Sequence, residues 1–315
     1  MMFKPLILLL WLWFTQVFFQ PHAPHQKKGV YFVVLGTAQD AGSPQIGCEK
    51  SCCKHLIQKP DPTRKISSLG LIDYSNEKTF LIDATPDIIT QNAKLQQMAG
   101  FGSDRKPDGI FLTHAHVGHY AGLMYLGRES WNTQNVPVYA MPKMTQFLEN
   151  NGPWSLLVKL KNIQINELKE GSTVGLNNQI HITPLLVPHR DEFSETVGYL
   201  IEGPKKSMLY IPDIDKWEKW DQSIEKWVNR VDIALLDATF YDGKELKNRE
   251  MKEVPHPCVV ETIELLKGMS AAQRNKIWFT HLNHTNPMFN KKSKEYKMVE
   301  QAGMHIAFME LFMEL

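Results

Sequence analysis

Residues 109–119 read Gly109-Ile-Phe-Leu-Thr-His114-Ala-His116-Val-Gly118-His119. An apolar, strand-like run stops at Thr113, and three histidines follow within six residues. Imidazole is the commonest side-chain ligand for Zn²⁺ and similar ions, so a strand that ends in such a cluster is a way to build a metal site. His114 and His116 are two apart and point to one side of an extended backbone. His119 comes one turn later, after Gly118, where the missing side chain permits a sharp change of direction. Twelve histidines in 315 residues make a chance triplet of this density uncommon.

The remainder of the chain sets bounds. At 43% hydrophobic it is long enough for one large domain or two small ones. A net charge of +1 offers no basic field for nucleic acid, and the Lys-rich stretches at 244–252 and 291–297 also carry Glu. The N-terminus differs from the rest. Lys4 precedes a nearly apolar run, Pro5 to Phe19, whose length fits a signal peptide and is short for a membrane span. Residues 1–27 are therefore expected to be a signal peptide or an N-terminal membrane anchor. The protein is expected to be exported (periplasmic or extracellular), with residues 28–315 forming the folded domain.

Short β-rich runs recur at 30–35, 69–74, 79–83, 110–113, 137–140, 180–183, 197–201, 208–211, 232–236 and 276–280. Helices are expected at Pro86–Met98, Met141–Asn150, Lys216–Asn229 and Pro257–Lys267, with a hairpin at Asn76-Glu77-Lys78. This order suggests sheets packed face to face and covered by helices. Several strand ends carry ligand-type residues: Pro188-His189, Pro212-Asp213, and His281 followed by His284. One such end is ordinary polar termination. Several, added to the opening triplet, suggest functional groups gathered at one edge of a sheet.

The order HxHxxH, then His, Asp and His, each at a strand terminus, resembles the metallo-β-lactamase fold superfamily. The Leu81-Ile-Asp83 strand end fits it too. The start Gly36-Thr-Ala-Gln-Asp-Ala-Gly-Ser-Pro-Gln-Ile-Gly-Cys48 and the end Thr280-His-Leu-Asn-His-Thr-Asn-Pro287 are most similar to its pyrroloquinoline-quinone biosynthesis B branch. The layout also resembles the phosphonate-pathway cyclic phosphodiesterases and, more distantly, the tRNA 3′-processing endonucleases. The resemblance covers roughly residues 30 to 310. It implies an α+β fold, an αββα four-layer sandwich with two face-to-face β-sheets and helices outside.

The resemblance also implies roles. His114, His116 and His189 would hold a first metal, Asp213 would bridge two metals, and His119 and His281 would hold the second. Asp83 would orient a ligand histidine. The ion would be zinc, one or two per site, with iron or manganese as alternatives. The family motif is usually HxHxDH, and Gly118 stands where its Asp would be. That leaves the second metal only His119, His281 and Asp213. A weaker second site, a mononuclear centre, a different metal and lost hydrolysis all remain open. Asp191, Glu192 and His256 are loop residues that could supply a substitute base. In related enzymes a His in a loop comparable to that of His256 contacts substrate phosphate.

There are four cysteines: Cys48, Cys52, Cys53 and Cys258. Three lie within six residues, and adjacent Cys52 and Cys53 cannot bridge each other without strain. A thiolate metal cluster and, in an exported protein, a disulfide are the competing readings. In the related phosphodiesterases a Cys cluster and a His three residues after the last active-site His close a structural zinc site. The resemblance thus implies Cys48, Cys52, Cys53 and His284 as a second, structural metal set. Cys258 reads as a buried small residue at a helix start.

The leading functional expectation is a metal-dependent hydrolase. Metal-bound hydroxide would attack an ester or phosphodiester-type small substrate, with Asp213 and His256 as catalytic residues. The alternative is a protein of quinone-cofactor biosynthesis, a carrier or an iron-dependent oxidase without hydrolase activity. The expected partner is a small molecule and not nucleic acid, with membrane association only through the N-terminal segment. Trp131, Trp154, Trp217, Trp220 and Trp227 are candidates to line a pocket, although Trp217 and Trp220 are spaced as core residues of a helix.

Overall fold

The computed structural model describes residues 27–245 and 250–315. The apolar segment expected to direct export, as far as residue 26, lies outside the described residues. Among the described residues no helix is long and apolar enough to cross a membrane.

The strands in chain order are β1 (Val30–Gly36), β2 (Ser68–Asp73), β3 (Lys78–Ile82), β4 (Gly109–Phe111), β5 (Val136–Ala140), β6 (Ile163–Glu167) and β7 (Val174–Gly175). There follow β8 (His181–Leu186), β9 (Val197–Glu202), β10 (Ser207–Ile211), β11 (Ile233–Asp237), β12 (Ile277–Thr280), β13 (His305–Ile306) and β14 (Phe312–Glu314). They form two seven-stranded sheets, ordered β14-β1-β2-β3-β4-β5-β6 and β13-β12-β11-β10-β9-β8-β7.

Side-chain alternation along the strands builds the layers. Val30, Phe32 and Val34 of β1 join Leu69, Leu71, Tyr199, Tyr210 and Leu235 in a core between the sheets. Val33 and Leu35, one residue out of phase, pack outward with Leu95, Leu123 and Leu148 of the covering helices. In the second sheet Leu209 and Leu236 likewise face outward, onto Trp217, Trp227, Val259 and Leu266. Both faces of both sheets are thus buried, so the strands read as apolar runs rather than as an apolar–polar alternation. The result is an α+β sandwich of two packed mixed sheets between helices, as the resemblance implied.

The helices differ in detail from the sequence expectation. The first expected one runs Ile88–Ala99 and ends at Gly100 in the left-handed conformation, φ 75°. The helix expected over Lys216–Asn229 is broken. A single turn, Trp217–Lys219, is followed by extended Trp220, and Ser223 then restarts an α-helix over Ile224–Arg230 by accepting from the Lys226 amide. The break lets the Trp220 indole reach the Leu186 carbonyl at 2.8 Å. Trp217, Trp220 and Trp227 belong to the outer core, and Trp217 also borders a surface cavity with Pro257 and Leu265. The helix Ser51–Gln58, which carries Cys52 and Cys53, and the strands β6, β13 and β14 were not legible beforehand.

Strand direction places the site. β3, β4 and β5 are parallel to one another, as are β10, β11 and β12. β1 and β8 run with their own sheet's parallel set, because each is related to it through two antiparallel pairings. The C-terminal ends of β1, β3, β4, β8, β10, β11 and β12 therefore deliver their following residues to one edge of the sandwich. Ala38, just past β1, closes the two sheets there, forming bridges to both Ile66 and Leu282.

Candidate metal centre

Each ligand-type residue follows a strand end. Thr113 and His114 follow β4. His189 follows β8 and Asp213 follows β10. Asp237 ends β11, His281 succeeds β12, and Asp83 succeeds β3. Asp83 and His281 adopt left-handed backbone, φ 68° and 63°. Such a conformation is uncommon outside glycine, and here it turns each chain sharply so that the side chain enters the cluster.

Asp213, 1% exposed, is the hub. Its Oδ2 lies 3.4 Å from His114 Nε2, 3.3 Å from His189 Nε2, 4.0 Å from His116 Nδ1 and 3.9 Å from His281 Nε2. His189 Nε2 and His116 Nδ1 are 3.3 Å apart. Ligand atoms on a tetrahedron around zinc, with bonds of about 2.0–2.1 Å, are separated by roughly 3.3–3.4 Å. His114, His116, His189 and Asp213 approximate that spacing. His114 Nε2 is buried without a hydrogen-bond partner, the condition of a group that fits an ion.

A second set stands beside the first. His119 Nε2 and His281 Nε2 are 3.3 Å apart. Asp40 Oδ1, from the loop after β1, lies 3.0 Å from each. Asp40, His114, His119 and Asp213 can bring one ligand atom each within 4.8 Å of one another.

Supporting hydrogen bonds fix the rings. Asp83 Oδ2 is 2.6 Å from His119 Nδ1, and Asp83 Oδ1 accepts from the Thr113 amide and hydroxyl at 2.8 and 2.9 Å. Thr113 Oγ1 is 3.0 Å from His114 Nδ1, and Thr239 Oγ1 is 2.9 Å from His281 Nδ1. Asp83 thus joins the His119 ring to the Thr113 backbone, and in a metal centre such contacts set which nitrogen faces the ion.

Electrostatics follow from burial and from this crowding. Burial, aided by the facing His119, holds His114 well below its ordinary value, so it is neutral and free to ligate. Burial also opposes charge on His119, but the flanking carboxylates Asp83 and Asp40 outweigh it and raise that imidazole well above its ordinary value. Burial would raise Asp213, yet His189, His256 and His281 around it hold the carboxyl well below the usual range. His256 Nδ1 lies 3.1 Å from Asp213 Oδ1 and 2.9 Å from Asp237 Oδ2. Burial disfavours its charge, but the two carboxylates push it up to about 10. Of the other loop candidates, Glu192 is half exposed, 3.4 Å from His116 Nε2, and Asp191 accepts from Thr196.

The cysteine cluster also forms. Cys48, Cys52, Cys53 and His284 offer ligand atoms all within 4.8 Å of one another, and none of the cysteines is in a disulfide. Burial pushes the Cys53 thiol up to about 12, while Cys48, hydrogen-bonded by Cys53 and the Lys50 amide against the effect of burial, falls below its ordinary value. Burial and nearby Lys50 lower His284. Cys258 lies apart, fully buried at the N-cap of the helix Val259–Leu266.

Two residues of the centre escaped the sequence reading. Asp237, at a strand end like Asp83 and Asp213, had the signal that identified those two. Asp40 sits in a turn-rich loop and had none, beyond its place in the Gly36-Thr-Ala-Gln-Asp start. Beside His119 and His281 of the expected second set, Asp40 faces both imidazoles.

Comparison with known proteins agrees with this architecture. The family model described as a beta-lactamase superfamily domain matches residues 78–282. Coenzyme PQQ synthesis protein B of Acinetobacter baylyi is 25% identical over 309 residues, covering 90% of this chain and 99% of that protein. The crystal structure of Zn²⁺-bound PqqB from Methylobacterium extorquens superposes with a TM-score of 0.74 at 24% identity, over 90% of this chain and 100% of that one. A diphosphatase from the PhnP family superposes with a TM-score of 0.63 at 22% identity, over 91% of this chain and 97% of that one.

Proposed function

The chain belongs to the beta-lactamase superfamily, and from that premise we propose that it is a metal-dependent hydrolase of small ester or phosphodiester substrates. The observation that carries the reading is the pair of ligand sets sharing Asp213, whose Oδ2 lies 3.4 Å from His114 Nε2 and 3.3 Å from His189 Nε2. Zinc suits the His and carboxylate donors, and the solved relative from Methylobacterium extorquens is described as Zn²⁺-bound. An ion held by these residues would lower the pKa of a bound water to about 7 and polarise the electrophile.

The chain's own residues do the rest. Asp83 and Thr113 hold His119 and His114 in register. His256, kept protonated between Asp213 and Asp237, is the proton source beside the ligand sets. Glu192 stands at the exposed side of His116, where an incoming substrate would pass. The cysteine cluster, through the short His281–His284 turn, is read as a closed structural zinc site that steadies His281. Export, by the apolar N-terminal run, and a small-molecule rather than nucleic-acid substrate belong to the same reading, supported by the near-neutral charge.

A second reading has one observation in its favour: likeness to a coenzyme PQQ synthesis protein B runs over 90% of the chain. It makes the protein a carrier or an iron-dependent oxidase of quinone-cofactor synthesis. Metal analysis of the purified chain, with a panel of phosphodiester, thioester and ester substrates, separates the two. Zinc-dependent turnover that is lost in His114→Ala supports hydrolysis. Iron at the centre with no turnover across the panel decides for the alternative. A metal-free centre, with His114→Ala indistinguishable from the wild type, sinks both metal readings.

A further inference from the structure

The structure brings Asp40 to the place where the metal motif lacks its acid. A Cβ built on Gly118 would lie 2.4 Å from Asp40 Cα and 2.6 Å from Asp40 Cβ. Those separations are below any normal contact, so the Asp40 loop occupies the volume that a side chain at position 118 would need. The Asp40 side chain accordingly starts from nearly the point in space where one at 118 would start.

Its carboxylate ends in a ligand position. Oδ1 is 3.0 Å from both His119 Nε2 and His281 Nε2, and Oδ2 is 3.9 Å from His116 Nδ1. The side chain is 10% exposed, and it lies 79 residues from His119 in sequence. The backbone holds it there. Gln39 donates to the Leu282 carbonyl at 2.9 Å, Leu282 donates to Thr37 at 2.7 Å, and Ser67 donates to Ala38 at 2.8 Å. The loop is therefore tied to the residue after His281 on one side and to the segment entering β2 on the other.

We propose that Asp40 and Gly118 act as one exchanged unit: Asp40 supplies the carboxylate ligand of the second metal position, and Gly118 is the gap through which its loop reaches the site. The second position then has Asp40, His119, His281 and Asp213, a full four-residue protein set. The glycine is a requirement of the rearranged centre and not the mark of a lost ion. This inference rests on the metal-binding half of the proposed function and not on hydrolysis.

The test is zinc titration of metal-free full-length protein against a competing chelator, with Co²⁺ spectra to separate thiolate-bound ion from the histidine–carboxylate positions. Wild type is expected to take up two ions beyond the one at the cysteine cluster. Asp40→Asn, which keeps the size of the side chain, should weaken one of the two by at least about 100-fold, the upper end of what losing a mere supporting contact costs. The other ion should be unaffected. His189→Ala should weaken the complementary ion and spare the one that depends on Asp40. Gly118→Ala should reproduce the Asp40→Asn loss by displacing the loop. Circular dichroism shows whether that variant folds, and Asp40→Asn alone decides if it does not. Equal uptake by wild type and Asp40→Asn, or no wild-type uptake beyond the cysteine cluster, overturns the proposal. A wild type that binds both ions yet turns over no substrate overturns hydrolysis and leaves this assignment standing.

Discussion

The Asp83 carboxylate and the His119 imidazole lie 2.6 Å apart with both side chains fully buried. The same carboxylate accepts from the Thr113 amide and hydroxyl, so one group ties the end of β3 to the histidine motif. Asparagine tolerates the left-handed backbone of position 83. Asp83→Asn should therefore fold, but with His119 poorly oriented. Zinc affinity is expected to fall about 10–100-fold, measured by chelator competition. Unchanged affinity would remove the orienting role.

Metal uptake should release protons. The flanking Asp83 and Asp40 raise His119 above its ordinary value despite burial, so the metal-free protein holds a proton there at neutral pH. An ion must displace it, and affinity is expected to rise with pH. Calorimetry in buffers of different ionisation enthalpy reads the proton count. A count of zero contradicts the assignment, and Asp83→Asn should lower the pH at which release occurs.

Cys53→Ser should cost one ion per chain and leave the histidine–carboxylate centre occupied. The thiols of Cys48 and Cys52 should then react with a disulfide reagent without prior chelation, since thiolates bound to zinc are protected from it. Because His284 lies three residues past His281, a modest fall in zinc affinity at the other centre is also expected. A metal count equal to wild type would show that the cluster holds no ion.

Stability near neutral pH should depend on Glu245. This carboxyl accepts from the Tyr241 amide and the Thr285 hydroxyl, beside the cysteine cluster. Burial, helped by nearby Asp242, raises it from 4.5 to about 7. The folded chain then holds an extra proton between those values. The contribution is complete below pH 4.5 and is lost as pH rises through 7. Wild type should lose on the order of 1–3 kcal/mol across that window relative to Glu245→Gln, as read by urea unfolding. Parallel pH profiles for the two proteins would refute it.

Much of the architecture was legible because both sheets are covered on both faces. Buried strands such as Val30–Gly36 and Met208–Ile211 appear as continuous apolar runs, and their ends appear where that run meets His, Asp or Pro. Elements without such contrast were missed. The helix Ser51–Gln58 buries only Cys53 and Leu56, and the edge strand β14 spans only Phe312–Glu314. The helix expected over Lys216–Asn229 failed at Trp220, where a tertiary hydrogen bond to Leu186 outweighed local periodicity.

The sequence by itself determined the ligand-type residues that end strands. His114, His116, His189, Asp213 and His281 are each marked by a change from apolar to polar at a fixed place in the chain. Asp83 carries the same mark. Their order carried the resemblance that implied the fold. Only the tertiary structure decided what Gly118 means. A ligand set is defined by distances through space, and Asp40 belongs to this one because Ala38 is pinned between Ile66 and Leu282 and because position 118 has no side chain to exclude it. Neither condition leaves a periodic or compositional trace in the loop that carries Asp40. The residue missing from the motif was present in the chain, at a position that only packing identifies.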